Sequence, residues 1–273
     1  MTSRCAVVTA RGLGDALLSM IVSQNLLRSG HHVTTFSNIL CQMESWFPEH
    51  TIRPYTDDLS PFDRIIAADH SSVRKEDART TILWESGFDK QKTMVANLAA
   101  ASQKLGLTAT TNTGIKVPSH LTHRKYPMRV ILHPMSAAAH KNWPAHKFRY
   151  LAKKLHSLGY DPVLCVSPQE RTEWPESPLF PTASELAAFI YESGALIGND
   201  SGLGHLASLL DIPTLSLFAR KSYAQLWRPG WNVGAVVTPY IPLIGAPMKQ
   251  RYWKNFLTAK QVIYNFKHLV KTS

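Results

Sequence analysis

"IGNDSGLGHLASLLDIPTLSLFAR", residues 197–220, sets an aspartate, a serine, glycines and a histidine between two short apolar runs. If the overlapping "ALIGND" (195–200) is a parallel strand, Asn199 and Asp200 lie at its carboxyl end, the sheet edge where doubly wound folds bind ligands. Ser201 and Gly202 then start a helix whose free N–H groups and positive dipole end face the same place, a setting that holds a diphosphate without a metal. In that helix Leu203, Leu206 and Leu210 form the apolar stripe, which leaves Ser201, His205 and Ser208 on another face. A plain cap at Asp200 or Ser201, with His205 bonded to nearby backbone, is the structural alternative. A serine hydrolase is excluded: adjacent Asp200 and Ser201 cannot form a relay, and the G-x-S-x-G elbow is missing.

Working outward, "CAVVTA" (5–10) reads as a buried strand that runs into "RGLGD" and a helical pattern over 16–28, the opening of a parallel α/β unit. Residues 31–37, 62–69 and 80–86 read as further strands, with a helix over about 92–105. A polar, turn-rich stretch at 108–127 reads as a linker. From Arg129 the alternation restarts: strand "RVILH", helix 145–158, strand "DPVLCVS", helix 184–193, strand "ALIGND", helix 202–210, strand "TLSLFA". The expected fold class is therefore α/β, two Rossmann-like doubly wound domains (1–125 and 126–273) facing a cleft. A last helical pattern, 259–270, has no strand after it and is free to dock back on the first domain.

Composition fits a globular chain of 273 residues, 44% hydrophobic and 18% charged. The net charge of +11 is uneven: after Asp211 there is no Asp or Glu, yet nine Lys and Arg. Such a field favours an anionic partner: a phosphorylated substrate, an acidic membrane surface or nucleic acid. Trp227, Trp231, Tyr252 and Trp253 among those cations suit a membrane interface or a phosphorylated glycolipid. No nucleic-acid motif accompanies them, so nucleic acid is disfavoured.

Cys5, Cys41 and Cys165 are far apart and never in a C-x-x-C spacing, so neither a disulfide framework nor zinc is indicated. No H-E-x-x-H or facing Cys/His set exists, and no metal or cofactor is expected. "RGLGD" has Leu17 where a dinucleotide turn needs its third glycine, and no P-loop is present. Neither an export signal nor 18 uninterrupted apolar residues occur, so a cytoplasmic protein, open to peripheral attachment at the inner face of the plasma membrane, is expected.

At "LIGNDSGLGHLASLLDIPTLSLF" the sequence resembles the D-[ST]-G-x-x-H-x-A signature of glycosyltransferase family 9, the ADP-heptose:lipopolysaccharide heptosyltransferases. "TASELAAFIYESGALI" resembles that family's run into the motif. "ILHPMSAAAHKNWPAHKFRYLAKKLHSLGYDPVLCV" resembles its second-domain start, and "GLGDALLSM" its N-terminal G-D turn. The resemblance implies a GT-B architecture with the donor nucleotide on the second domain and the acceptor on the first, and inversion at the anomeric carbon without a metal. It implies a nucleotide-sugar donor and an anionic glycolipid or other surface-glycan acceptor.

By the same resemblance Asp15, after Gly12 and Gly14, is the candidate general base, taking its proton late because a carboxylate is a weak base toward an alcohol. Ser136, Lys141, Ser201 and Gly202 are candidates to stabilise the leaving diphosphate. Asp200 is a candidate contact for the donor sugar or its phosphates, His205 for orienting the loop and Glu170 for the donor nucleoside. The chain departs from the family in carrying Phe218-Ala219-Arg220 where members carry F-G, which places Arg220 to add a phosphate contact. The other readings are a catalytically inactive GT-B-like nucleotide- or glycan-binding module, and a sugar-nucleotide epimerase or hydrolase.

Overall fold

The computed structural model describes residues 2–73, 77–239 and 252–272. The chain divides into two compact units, residues 1–119 with 182–184, and residues 120–181 with 185–273.

The first unit runs β1 (Arg4–Val8), α1 (Leu13–Arg28), β2 (His32–Phe36), α2 (Asn38–Cys41), β3 (Thr51–Arg53), β4 (Arg64–Ala67), β5 (Thr80–Ile82) and α3 (Met94–Lys104). Its strands are all parallel in the order β3-β2-β1-β4-β5. The strand order therefore reverses between β1 and β4, and the turn after β1 opens beside that reversal. Helix α1 is apolar on almost every side and is buried from Ala16 to Leu26, as a central helix must be. Its buried Asn25 donates to the Ser102 hydroxyl and the Thr110 carbonyl, and accepts from Thr110, which ties down the chain leaving α3.

On the opposite face of this sheet, among the described residues, connections and not an α-helix supply the cover. Ala6, Val8, Phe36 and Ile65 are covered by Tyr55, Leu59, Phe62 and Val73 from the connections. Pro54 and Pro61 bound the short β3–β4 connection and keep it from winding. The strand expected over 80–86 stops at Ile82, and Leu83–Glu85 turns as a 3-10 segment.

The second unit runs β6 (Tyr126–His133), α4 (Ala145–Ser157), β7 (Asp161–Leu164), α5 (Ala183–Tyr191), β8 (Ser193–Asn199), α6 (Gly202–Leu209), β9 (Thr214–Leu217), α7 (Lys221–Trp227) and β10 (Gly234–Val237), and closes with α8 (Ala259–Lys271). Its parallel sheet is ordered β10-β9-β8-β6-β7, so the reversal falls between β6 and β8. Along each strand alternate residues face alternate layers. Val130, Leu132, Ile197, Leu215 and Leu217 join the core with Phe148, Leu151 and Leu155 of α4 and Val262, Phe266 and Leu269 of α8. Gly204 of α6 lies against Ser216 and Thr214, which places α6 on the other face.

The last helix packs within the second unit, on α4 and β10. Three large apolar side chains at helical spacing commit it there. Strand β3, strand β10 and helix α7 had no counterpart in the sequence reading. Two are short strands and one is a helix whose aromatic and polar residues show no clean apolar stripe.

Pairing of β6 with β8 shifts register between Tyr126 and Val130. Pro127 lacks the N–H a ladder needs, so the strand bulges there. Opposite the bulge sits Gly194, where an added methyl would collide with the Pro127 carbonyl. Gly194→Ala is expected to lower unfolding free energy by about 2 kcal/mol or more, the cost of forcing a methyl into a closed contact. Urea titration of the two proteins checks it, and equal midpoints refute it.

Candidate functional site

The reversal between β6 and β8 brings two βα loops together at the carboxyl edge of the second sheet, residues 134–144 after β6 and Asp200–Ser201 after β8. Asn199, the last residue of β8, is 1% exposed. Its Nδ2 donates to the Pro134 carbonyl at 2.6 Å, and its Oδ1 accepts from the Trp143 N–H at 3.1 Å. One carboxamide thus holds both ends of the β6 loop. Residues 252–257 hold its middle from the other side: Trp253 Nε1 donates to the His140 carbonyl and Lys254 Nζ to that of Ala139.

So fixed, Lys141 places Nζ 2.7 Å from Asp200 Oδ2. The contact is an ion pair more than a well-directed hydrogen bond, since Oδ2 has no partner of good angle among the described residues. Burial raises the Asp200 carboxyl above the ordinary carboxylate value, with Lys141 and His140 pulling the other way. Burial likewise works against the Lys141 charge, but Asp200 and the Tyr223 hydroxyl outweigh it and hold the ammonium protonated. The two side chains form a close pair. It forms one wall of a pocket of about 120 Å³, completed by His140, Phe218, Ala219, Arg220, Tyr223 and Trp253.

Ser201 stands at the N-cap of α6 with its hydroxyl buried, without a partner among the described residues and not capping the helix. The first N–H groups of α6, starting at Gly202, have no side-chain cap. That end therefore keeps donors for an anion.

Other expected site residues are engaged elsewhere. The Ser136 hydroxyl donates within its own loop, to the Ala138 carbonyl and Asn142 Oδ1. Glu170 Oε2 accepts from the Ser167 N–H and hydroxyl, a capping box at the turn after β7. The polar face expected on α6 is not free for a ligand: Ser208 is fully buried and accepts from the N–H groups of Trp231 and Asn232. His205 is buried, its ring edge-on to Trp231. Of the aromatics read as interfacial, Trp253 is fully buried and Trp227 stacks on Tyr223. The sequence places Asn199 at the sheet edge without its clamping role, and Tyr223 was missed. A lone amide ending an apolar strand was the only signal for the first, and an unpredicted helix carries the second.

In the first unit Asp15 lies in the first turn of α1. A methyl on Gly12 would meet its Oδ2 at 3.0 Å, so the carboxylate folds back over the turn. Gly14 is buried beneath it. Thr9 and Arg11, from the same turn, help line a polar groove of about 610 Å³ with Tyr55, Asp57, Ser71 and Ser72. Among the described residues no three His, Cys, Asp or Glu gather as metal ligands, and no helix is long and apolar enough to cross a membrane.

A family model described as glycosyltransferase family 9 (heptosyltransferase) matches residues 181–238, from the approach to α5 through β10. Lipopolysaccharide heptosyltransferase 3 of Escherichia coli is 29% identical over 117 residues, 38% of this chain and 34% of that protein. The match thus spans about a third of that relative's length. A family 9 glycosyltransferase from Veillonella parvula superposes with a TM-score of 0.74 at 19% identity, over 99% of this chain and 98% of that one. E. coli heptosyltransferase WaaC, solved with ADP, does so with a TM-score of 0.66 at 15% identity, over 97% and 99%. The structural likenesses carry the fold, a GT-B pair of Rossmann-like units, and the sequence matches carry the resemblance to family 9.

His205 reads out the integrity of this site. Burial pushes it down to about 4, against a hydrogen bond to the Trp227 backbone. Its folded value lies below the ordinary 6.5, so between those limits the unfolded chain binds the extra proton. Stability should therefore fall as pH drops from about 6.5 toward 4, by roughly 2 kcal/mol between pH 7 and 5 from this residue. His50, also held near 4 by burial, adds a parallel loss in the first unit. Denaturant titrations at both pH values should show a smaller pH-dependent difference in His205→Gln, and an unchanged difference refutes the assignment.

Proposed function

We propose that this relative of glycosyltransferase family 9 is an inverting, metal-independent glycosyltransferase, moving heptose or a related sugar from a nucleotide-sugar donor to a lipopolysaccharide-core or other surface-glycan acceptor. The observation that carries the reading is the Lys141–Asp200 wall beside the uncapped start of α6, at the strand reversal of the second unit. The neighbour solved with ADP and the heptosyltransferase relative support ADP-heptose as the first donor to try.

In the proposed reaction the acceptor hydroxyl oxygen forms a bond to the anomeric carbon on the face opposite the nucleotide. The bond from that carbon to the diphosphate oxygen breaks, and the electron pair leaves with the diphosphate. The Ser201 hydroxyl and the first N–H groups of α6 meet the charge that develops there, as fixed donors in a partly dry site, with the remaining N–H groups of the Asp200-paired Lys141 as further hydrogen-bond donors. Asp15 takes the hydroxyl proton late, when the sugar has oxocarbenium character. Asp200 orients Lys141 and accepts from sugar hydroxyls. His205, neutral and buried, anchors α6 to the Trp227–Trp231 segment.

Asp15→Ala is expected to abolish transfer while leaving nucleotide binding intact, and full activity in that variant removes Asp15 as base. A thermal-shift panel of ADP-, GDP-, UDP-, CMP- and dTDP-sugars checks the donor site, where a ligand at about 100 times its Kd adds about 2.7 kcal/mol. A chelator should leave transfer unchanged.

The anionic surface that carries the acceptor has a candidate docking face, and it is not the tryptophans. Helices α4 and α8 form the outer layer of the second unit and contain no Asp or Glu. They expose Lys153, Lys154, Lys260, Lys267 and Lys271, with Tyr150 at 51% and Tyr264 at 75% exposure. Lysines near an anionic leaflet contribute about 1 kcal/mol each, and tyrosine suits the headgroup layer. The chain should co-sediment with phosphatidylglycerol-containing vesicles at low salt and not with pure phosphatidylcholine. Lys153→Glu with Lys267→Glu should release it, and retention by the double variant refutes this face.

A further inference from the structure

The charge in the second unit's pocket does not come from where the motif suggests. Lys141 and Asp200 face each other across 2.7 Å and largely cancel. Arg220 remains, on the same pocket wall, with Nε buried and without an acceptor among the described residues. No Asp or Glu follows Asp211 in the sequence, so residues 240–251 hold no carboxylate to neutralise it. Guanidinium stays protonated throughout the working pH range, and a buried donor left unpaired is unfavourable until an acceptor arrives.

We infer that Arg220 is the residue that binds a phosphoryl oxyanion of the donor's diphosphate, supplying the uncompensated positive charge that Lys141, paired with Asp200, does not. The inference rests on the donor-site reading above and adds a residue to it. Size agrees: about 120 Å³, where about 10–15 Å³ on the same measure holds one water, admits a phosphate-sized group. Phe218, Tyr223 and Trp253 wall the pocket with rings, which lowers the local dielectric and strengthens a guanidinium–phosphate contact. The planar fork of arginine matches two phosphate oxygens at once, which lysine cannot do.

Calorimetric titration of the full chain with inorganic pyrophosphate and with ADP, with chelator present, tests this. Arg220→Ala should weaken pyrophosphate and ADP by about tenfold or more, the loss of one charge-assisted contact. Arg220→Lys, which keeps the charge without the fork, should fall between, and this grading separates binding from a folding defect, as does an unchanged melting temperature. Asp200→Asn should tighten pyrophosphate, because it releases Lys141. If Arg220→Ala binds ADP and pyrophosphate as the unaltered chain does, the inference is overturned while the donor site stands. If pyrophosphate binds through Arg220 but no nucleotide does, the inference stands and the transferase reading falls. If neither ligand binds the unaltered chain, both fall.

Discussion

The carboxamide of Asn199 is the constraint on which the second unit's site depends. A parallel strand delivers its last residue to the sheet edge, but a loop of some ten residues after the neighbouring strand has no intrinsic reason to stand still. Asn199 removes that freedom by accepting from one end of the loop and donating to the other, in a place almost without water. Buried amide bonds of this kind are worth more for position than for stability: each contributes about 1 kcal/mol net, yet leaving one unmade costs more. The position matters because Lys141 must reach Asp200 across the strand reversal. Without the amide clamp the two charges would belong to separate loops.

Given that clamp, the pocket's electrostatics follow from burial. Asp200 loses water, which raises its carboxyl above the ordinary carboxylate value, and Lys141 pulls the other way. Such a pair is weak evidence for stability, since desolvation takes back much of the Coulomb attraction. Its use is to present an ammonium in fixed geometry while keeping it from collapsing elsewhere. The uncapped start of α6 and the idle Ser201 hydroxyl follow the same pattern: groups that a purely structural site would satisfy internally are left open.

Most of this was legible in the sequence where local chemistry and backbone period agree. The apolar strand ending in Asn199-Asp200, the helix starting at Gly202, and the strand–turn–helix from Cys5 through Asp15 were readable because each pairs a strand run with a turn residue and a helical stripe. What stayed hidden depends on packing. His205 and Ser208 share a polar face in projection, yet the segment around Trp227–Asn232 covers that face and turns both into internal anchors. Ser136 and Glu170 sit on the right loops, but short-range hydrogen bonds within each turn claim them. Strand β10 is four residues of small side chains, and only its partner β9 makes it a strand.

The basic residues of the second unit, read from sequence as a field strongest after Asp211, serve separate duties. Lys147, in α4, donates to the carbonyls of Lys254, Asn255 and Leu257, closing a helical turn at 252–256 that has no glycine cap, and Lys254 returns a bond to Ala139. These charges hold the β6 loop and are unavailable to a partner. The lysines on the outer side of α4 and α8 face water and can act only at long range, weakened by salt. Arg220 joins the Lys141–Asp200 pair at the pocket with no carboxylate of its own among the described residues. A net charge of +11 is thus a poor guide to ligand binding by itself. What decides is how much of it the fold leaves both buried and unpaired, and among the described residues of this pocket Arg220 Nε meets that condition.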